Sequence, residues 1–293
     1  MKHIFISLLS FFFIAQTSSA QETKIPFSKG ILKICSSKNF KISGYNGKEV
    51  IIKSLHKKNI SSRNFVLEFE KARTRDSMNT KNLFGFIRSN NASRKKGLKK
   101  LGKNSPQENG IYFDIIEKEG ELLLQDKTGK DWFVMVSDES YEIKVPNTVS
   151  LNWNTSKCSK NKNVFYNSKT SSLSNFSEEV TITSTLNNLL LQDVSGPVSI
   201  NSIGGNVTVE FDKKTPSQLY SIYTNNGFID ITLPSTSNLI VDAKGNSIFS
   251  NLDFNILSEE ENSGVQEMKL QLKSGKVKMK LNASLGDIYL RKK

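Results

Sequence analysis

The chain has 293 residues, of which 37% are hydrophobic, 24% charged and 9% aromatic. This composition supports a substantial folded core and excludes both a collagen-like chain and a chain that is disordered throughout. Lys and Arg number 41 against 28 Asp and Glu, so the formal net charge is +13. An excess of this size favours contact with anionic surfaces.

The first 20 residues have the pattern of an export signal. Lys2 precedes an apolar stretch over residues 4–15, and Ser18-Ser19-Ala20 supplies the small residues that a signal peptidase accepts before Gln21. The apolar stretch would form a helix of about 18 Å, too short to cross a bilayer. We therefore predict an exported protein of the periplasm, the outer membrane surface or the extracellular space, with no transmembrane helix in the mature chain.

Short apolar runs bounded by turn residues predict β-strands in the first half of the chain. The runs lie at residues 31–34, 40–42, 50–52, 111–115, 122–124, 132–136 and 141–145. Gly44-Tyr45-Asn46-Gly47 separates the second run from the third, which predicts a strand pair joined by a turn.

Residues 57–107 interrupt this pattern with many basic residues and Asn, which predicts an inserted loop. The predicted organisation is a signal peptide at 1–20, a short N-terminal tail at 21–30, and one β-strand-repeat domain at 31–293 that contains the insertion.

From Val180 onward, apolar and polar residues alternate almost without interruption, which is typical of strands with one buried face. Corners rich in Gly, Asn and Asp separate the strands, and these residue types tolerate left-handed backbone angles. The corners are Gly204-Gly205-Asn206, Asn225-Asn226-Gly227, Gly245-Asn246 and Gly286-Asp287.

The strands also repeat. When they are aligned, one inward position is shared by Val207, Ile229, Ile248 and Ile288, at separations of 22, 19 and 40 residues. A repeat of about 20 residues predicts an all-β fold, a single-stranded β-solenoid that resembles a β-helix, with short strands and Gly/Asn corners. An antiparallel sandwich is the alternative. Arg291, Lys292 and Lys293 follow the last strand, where their charge would protect the open edge of the stack.

The two cysteines, Cys35 and Cys158, both follow runs that read as strands. Two cysteines in an exported chain can form a disulfide, and two separate small core residues are the alternative. Neither has a second cysteine at CxxC spacing, so the pattern favours neither redox catalysis nor a zinc site.

Six basic residues form a cluster in the inserted segment: Arg94, Lys95, Lys96, Lys99, Lys100 and Lys103. A site for single-stranded nucleic acid would interleave aromatic rings, and none lies between Phe86 and Tyr112. We interpret the cluster as a solvated loop. Contact with a polyanion, such as anionic polysaccharide or another envelope component, is the functional alternative; nucleic acid is not an expected partner.

Residues suited to catalysis are few. His56 is the one histidine beyond the signal, and it precedes two lysines, so we interpret it as a surface residue. Among the aligned outward positions, Asp230 has no carboxylate neighbour in the next coil, and Glu259-Glu260-Glu261 reads as a solvated turn. Neither a zinc-protease HExxH motif nor a phosphate-binding loop occurs. The sequence predicts no catalytic residues, no metal and no cofactor.

Several of these patterns together resemble the bacterial putative adhesin family of β-strand-repeat domains, which is classed as a domain of unknown function. The resemblance rests on the strand-and-corner patterns at residues 31–35, 42–52, 194–198, 227–234 and 286–293. It implies a β-solenoid on an exported envelope protein, with an adhesive or scaffolding role, and it implies no functional residues.

We therefore expect a non-enzymatic, exported cell-envelope protein, adhesin-like or structural, that presents polar faces to a surface or partner. Two alternatives remain: a carbohydrate-active enzyme on a similar scaffold, and a periplasmic accessory of an envelope-stress system.

Overall fold

The computed structural model describes residues 22–36, 38–55, 113–126, 135–136, 140–155, 165–166, 169–185 and 187–293. The predicted signal peptide, His56, the basic cluster from Arg94 to Lys103, and Cys158 lie outside these residues. The predictions made for them, including the disulfide between Cys35 and Cys158, therefore stay predictions.

The described residues form strands and contain no helix, which confirms the all-β prediction. The first ten strands are β1 (Glu22–Pro26), β2 (Gly30–Cys35), β3 (Asn39–Tyr45), β4 (Glu49–Ser54), β5 (Phe113–Lys118), β6 (Glu121–Asp126), β7 (Met135–Val136), β8 (Ser140–Pro146), β9 (Val149–Asn154) and β10 (Phe165–Tyr166). The others are β11 (Ser171–Ser174), β12 (Val180–Thr185), β13 (Leu189–Gln192), β14 (Val198–Ile203), β15 (Val207–Glu210), β16 (Tyr220–Thr224), β17 (Ile229–Leu233), β18 (Leu239–Gly245), β19 (Ile248–Ser250), β20 (Asn255–Asn262), β21 (Val265–Leu272), β22 (Val277–Ala283) and β23 (Ile288–Lys292).

Almost all of these strands belong to two large mixed sheets. Sheet A has the order β1-β4-β8-β3-β11-β13-β15-β17-β23-β19, and sheet B has the order β20-β21-β18-β22-β16-β14-β12-β9-β2-β6-β5. From β11 to β17, consecutive strands alternate between the two sheets, and each strand from β11 to β15 pairs in parallel with the strand two places further along the chain. The chain therefore advances along both sheets together instead of folding back in hairpins.

The hydrophobic core consists of the inward side chains of these strands. In sheet B, one column of directly paired, buried residues runs through Val180, Val198, Tyr220, Met279 and Val241. Because polar residues occupy the alternating outward positions, each strand buries one face and leaves the other in contact with water. The burial of these columns is the main favourable contribution to folding.

The inward position that four strands were predicted to share is confirmed. The order of these strands across the sheet, however, differs from their order along the chain. Val207, Ile229, Ile288 and Ile248 lie side by side in that sequence. The last strand pair is inserted: β22 lies between β16 and β18, and β23 lies between β17 and β19. This is possible because the antiparallel hairpin β20–β21 forms on the outside of β18 and carries the chain back.

The basic C-terminus therefore does not protect an open edge, and that prediction is wrong. β23 has a neighbouring strand on each side. Arg291 instead forms an ion pair with Asp230, and Lys293 forms one with Asp212.

At this end of sheet B the open edge is β20, which carries Glu259-Glu260-Glu261. The prediction of a turn for these glutamates is wrong, since all three lie within the strand. The strand is exposed along its length and its register with β21 shifts between Ile256 and Ser258. Charge and a bulge are both devices that hinder an edge strand from pairing with another chain.

A second insertion overturns the strand pair predicted around Gly44-Tyr45-Asn46-Gly47. Strands β3 and β4 both exist, but β8 lies between them, parallel to β3 and antiparallel to β4. Tyr141, Ile143 and Val145 of β8 are buried in the core. The inserted strand thus adds apolar surface that a simple hairpin would lack.

Close packing, more than left-handed geometry, explains most of the corner glycines. Gly204 does have a positive φ of 76°. Gly205, Gly227 and Gly286, in contrast, stack above one another in a group that we call the glycine column. A Cβ on Gly227 would lie 2.4 Å from the carbonyl oxygen of Gly205, and a Cβ on Gly286 would lie 2.1 Å from that of Gly227. Each corner therefore leaves no room for a side chain on the next.

A buried carboxylate organises the loop after β15. Oδ1 of Asp193 accepts hydrogen bonds from the backbone N–H groups of Asp212, Lys213 and Lys214, at 2.8, 2.9 and 3.1 Å. Burial by itself raises the pKa of Asp193, but these hydrogen bonds outweigh it, so the pKa lies below the usual value for Asp.

We expect Asp193→Ala to destabilise the protein by about 2 kcal/mol, because three backbone donors lose a charged acceptor. Asp193→Asn should cost less, because its side-chain oxygen still accepts. Since the pKa is lower in the folded state, the contribution of the charge is complete above the unfolded pKa of about 3.9 and is lost as the pH falls through the folded pKa. Thermal unfolding at a series of pH values measures this. A gap between wild type and Asp193→Asn that stays constant down to about pH 2 would contradict the assignment.

Candidate functional site: a groove on sheet B

The outward face of sheet A carries the residues that directly follow the shared inward position in each aligned strand. Thr208, Asp230, Tyr289 and Phe249 lie side by side in that order. Asp230 therefore has Thr208 and Tyr289 as its direct neighbours in this row, and no second carboxylate faces it there.

The aromatic and charged side chains in and beside this row contact one another. The ring of Tyr289 lies 6.1 Å from that of Phe228 and 5.4 Å from that of Phe249, measured between centroids. The guanidinium of Arg291 lies 5.3 Å from the Tyr289 ring centroid. Arg291 also donates to both carboxylate oxygens of Asp230, with Nε–Oδ1 at 2.8 Å and Nη2–Oδ2 at 3.0 Å. Cross-strand contacts of this kind stabilise a sheet, so we interpret the group as structural.

A groove of about 540 Å³ lies on the outer face of sheet B, near the C-terminal end of the stack. Two rows of outward side chains line it, and each row crosses β16, β22, β18, β21 and β20 in that order. The first row is Ser221, Lys280, Asp242, Lys269 and Ser258. The second row is Tyr223, Asn282, Lys244, Glu267 and Glu260.

The inserted strand β22 creates the centre of this groove. It brings Lys280 and Asn282 between residues of β16 and β18. Tyr223 and Asn282 become direct neighbours in this way although they are far apart in the sequence. No motif in the sequence marks Tyr223, Lys280 or Asn282, so they are not among the residues predicted from it.

The charges in the groove balance. Its lining includes the lysines Lys244, Lys269 and Lys280 and the carboxylates Asp242, Glu260 and Glu267. Lys244 forms an ion pair with Glu267 across the strands. The groove thus differs from the chain as a whole, which carries a formal net charge of +13.

The groove also contains an acceptor that lacks a donor. Within the part of the chain that the structure describes, Oδ1 of Asn282 is buried and has no hydrogen-bond partner. A buried polar atom without a partner is costly, so a turn of the Asn282 amide that brought this oxygen to a donor on a ligand would be favourable. At the end of the same row, 37% of the surface of Tyr223 is exposed.

The described residues lack two features that would point to other functions. They contain no group of three or more His, Cys, Asp or Glu side chains that could hold a metal ion. They also contain no helix that is long and apolar enough to cross a membrane.

Comparison with known proteins adds little to this description. No protein-family model matches the chain. No curated protein matches it either. Among solved structures, it is similar to the crystal structure of a putative cell adhesion protein from Clostridium sporogenes, with 11% sequence identity and a TM-score of 0.44, over 93% of this chain and 99% of that chain. A likeness this distant says nothing about the function of the present chain.

Proposed function

We propose that the protein is an exported, non-enzymatic component of the cell envelope, adhesin-like or structural, built on a β-solenoid that presents polar faces to a surface or partner. The observation that carries this proposal is the straight rows of outward polar residues. On sheet B one such row contains Thr181, Ser199 and Ser221, and another contains Thr183, Asn201 and Tyr223. Neighbouring strands lie about 4.8 Å apart, so the rows offer a regular series of weak contacts that can act together.

The strand order supports the solenoid within this proposal. Parallel pairing of every second strand between β11 and β17 is the pairing expected of a chain that winds around its core. Such a winding places two strands, one in each sheet, in every coil. Exceptions occur towards both ends of the stack, where β4 and β21 pair with antiparallel neighbours.

Three of the ionisable groups with shifted pKa values have structural roles, which supports a role without catalysis. Burial raises the pKa of Tyr220, whose hydroxyl donates to the carbonyl of Val194 in the core. The hydrogen bond with Asp230 raises the pKa of Arg291. Together with Asp193, these groups make contacts that hold the fold together, and structural contacts are a known cause of pKa shifts.

One feature of the groove favours a second candidate, a carbohydrate-active enzyme. Glu260 and Glu267 face each other across β20 and β21, and glycoside hydrolysis uses a pair of carboxyl groups. Glu267, however, is already paired with Lys244, so its carboxylate is not a free partner for a substrate. The release of reducing sugar from an oligosaccharide, abolished by Glu260→Gln, would support the enzyme.

Cell fractionation combined with surface proteolysis tests the proposed function. We expect the chain in the envelope fraction, and we expect protease added to intact cells to degrade it while a cytoplasmic marker survives. Deletion of residues 2–20 is the matched control, because the chain should then stay in the cytoplasm. Retention of the intact chain in the cytoplasm would contradict export. Protection inside the periplasm would contradict direct adhesion and leave the structural role.

A further inference from the structure

We infer that the groove on sheet B binds an uncharged oligosaccharide. This inference deepens the proposed function, on which it rests, by naming the class of ligand for one polar face. It depends on the size of the groove, its balanced charge, its unpartnered acceptor and its exposed aromatic ring.

The dimensions of the groove suit a short oligosaccharide. A volume of about 540 Å³ lies inside the range that is usual for sites of small ligands. The rows cross five strands, so four spacings of about 4.8 Å extend the groove over roughly 19 Å. An extended ligand can therefore contact successive strands.

The charge pattern favours a neutral ligand over a polyanion. Asp242 lies between Lys280 and Lys269 in the first row, so positive and negative groups alternate at neighbouring positions. A polyanion would meet repulsion from the carboxylates as often as attraction from the lysines. A sugar hydroxyl, in contrast, both donates and accepts, and hydrogen bonds to charged groups are stronger than those between neutral groups.

Two side chains of the second row add specific contacts. Oδ1 of Asn282 is buried without a partner, and if the amide turns toward the groove this oxygen can accept from a hydroxyl or an amide N–H of the ligand. Tyr223 is its direct neighbour on β16 and offers an exposed ring, which can pack against the apolar C–H face of a sugar.

Isothermal titration of the purified full chain with cellotriose, chitotriose and maltotriose tests the inference, with trigalacturonate as the charged comparison. We expect at least one neutral trisaccharide to bind with an affinity that does not change with salt concentration. Tyr223→Ala and Asn282→Ala should each weaken this binding about tenfold or more, and Tyr223→Phe, which keeps the ring, should retain most of it.

Asn201→Ala is the matched control. Asn201 is exposed, belongs to the same row and pairs directly with Tyr223, but it lies outside the groove. Its substitution should leave the affinity unchanged, and all four variants should unfold within a few degrees of wild type.

Three results would overturn the inference: no binding of any neutral trisaccharide, binding that Tyr223→Ala and Asn282→Ala leave intact, or tighter and steeply salt-dependent binding of trigalacturonate. These outcomes are separate from the test of the proposed function. A surface-exposed chain that binds no sugar would overturn the inference alone, and a cytoplasmic chain that binds through the groove would overturn export alone.

Discussion

Replacing Gly286 with alanine should destabilise the protein by about 3 kcal/mol or more and lower its melting temperature by on the order of 10 °C. The added Cβ would lie 2.1 Å from the carbonyl oxygen of Gly227 and 2.8 Å from its carbonyl carbon. Both are backbone atoms, so a rotation of a side chain cannot relieve the clash. The two corners would have to separate, and this would disturb the hydrogen bonds between β17 and β23.

Gly264 provides the matched control for this prediction. It lies in the turn between β20 and β21 with a φ of 76°, and a Cβ there would meet nothing within 4 Å. Gly264→Ala should cost only the strain of a left-handed alanine, about 1 kcal/mol. Thermal unfolding monitored by circular dichroism compares the two variants. Equal losses of stability would contradict close packing as the reason for the glycine at position 286.

The glycine column also shows how far the sequence predicts the fold. The corners themselves are evident as Gly and Asn residues between alternating strands, and their positions are correct. Their physical role is not evident, because a glycine that permits a left-handed backbone and one that makes room for a neighbour look alike in a sequence. The difference depends on which corners become stacked.

The order of the strands in the sheets cannot be predicted from the sequence for a related reason. The repeat correctly identifies Val207, Ile229, Ile248 and Ile288 as one inward position, because each presents an apolar side chain of similar size at the same register. Because the four residues are so similar, the sequence alone allows any of these strands to lie next to any other. Ile288 is the neighbour of Ile229 because the hairpin β20–β21 returns the chain. In the sequence this hairpin is visible only as alternating apolar and polar residues and a run of three glutamates.

The groove is harder still to predict. Its residues are ordinary outward positions of five strands, with the polar composition expected of any solvated face. The site exists because the insertion of β22 sets Asn282 beside Tyr223 and Lys244. A candidate site that depends on strand order cannot be recognised until that order is known.

Removing residues 277–293, which contain β22 and β23, should abolish cooperative folding of the C-terminal half of the chain. The deleted strands lie inside the two sheets. Without β22, both β16 and β18 would lose a hydrogen-bonded neighbour, and without β23, so would β17 and β19. It also contributes buried apolar side chains, the largest of which are Met279, Leu281, Ile288 and Leu290. Burial of four such side chains is worth about 6–12 kcal/mol, which is comparable with the entire stability of a typical protein.

Deletion of residues 292–293 alone is the matched control, since it keeps the buried side chains and removes only exposed ones. Circular dichroism and native-state hydrogen exchange measure the effect, and the short deletion should change the unfolding free energy by about 1 kcal/mol at most. A peptide of residues 277–293, added to the long truncation, should insert as the missing strands and restore protection in β16 and β18. If the long truncation instead unfolds as wild type does, then β18 and β19 pair directly with β16 and β17, and the inserted strands are not required to close the core.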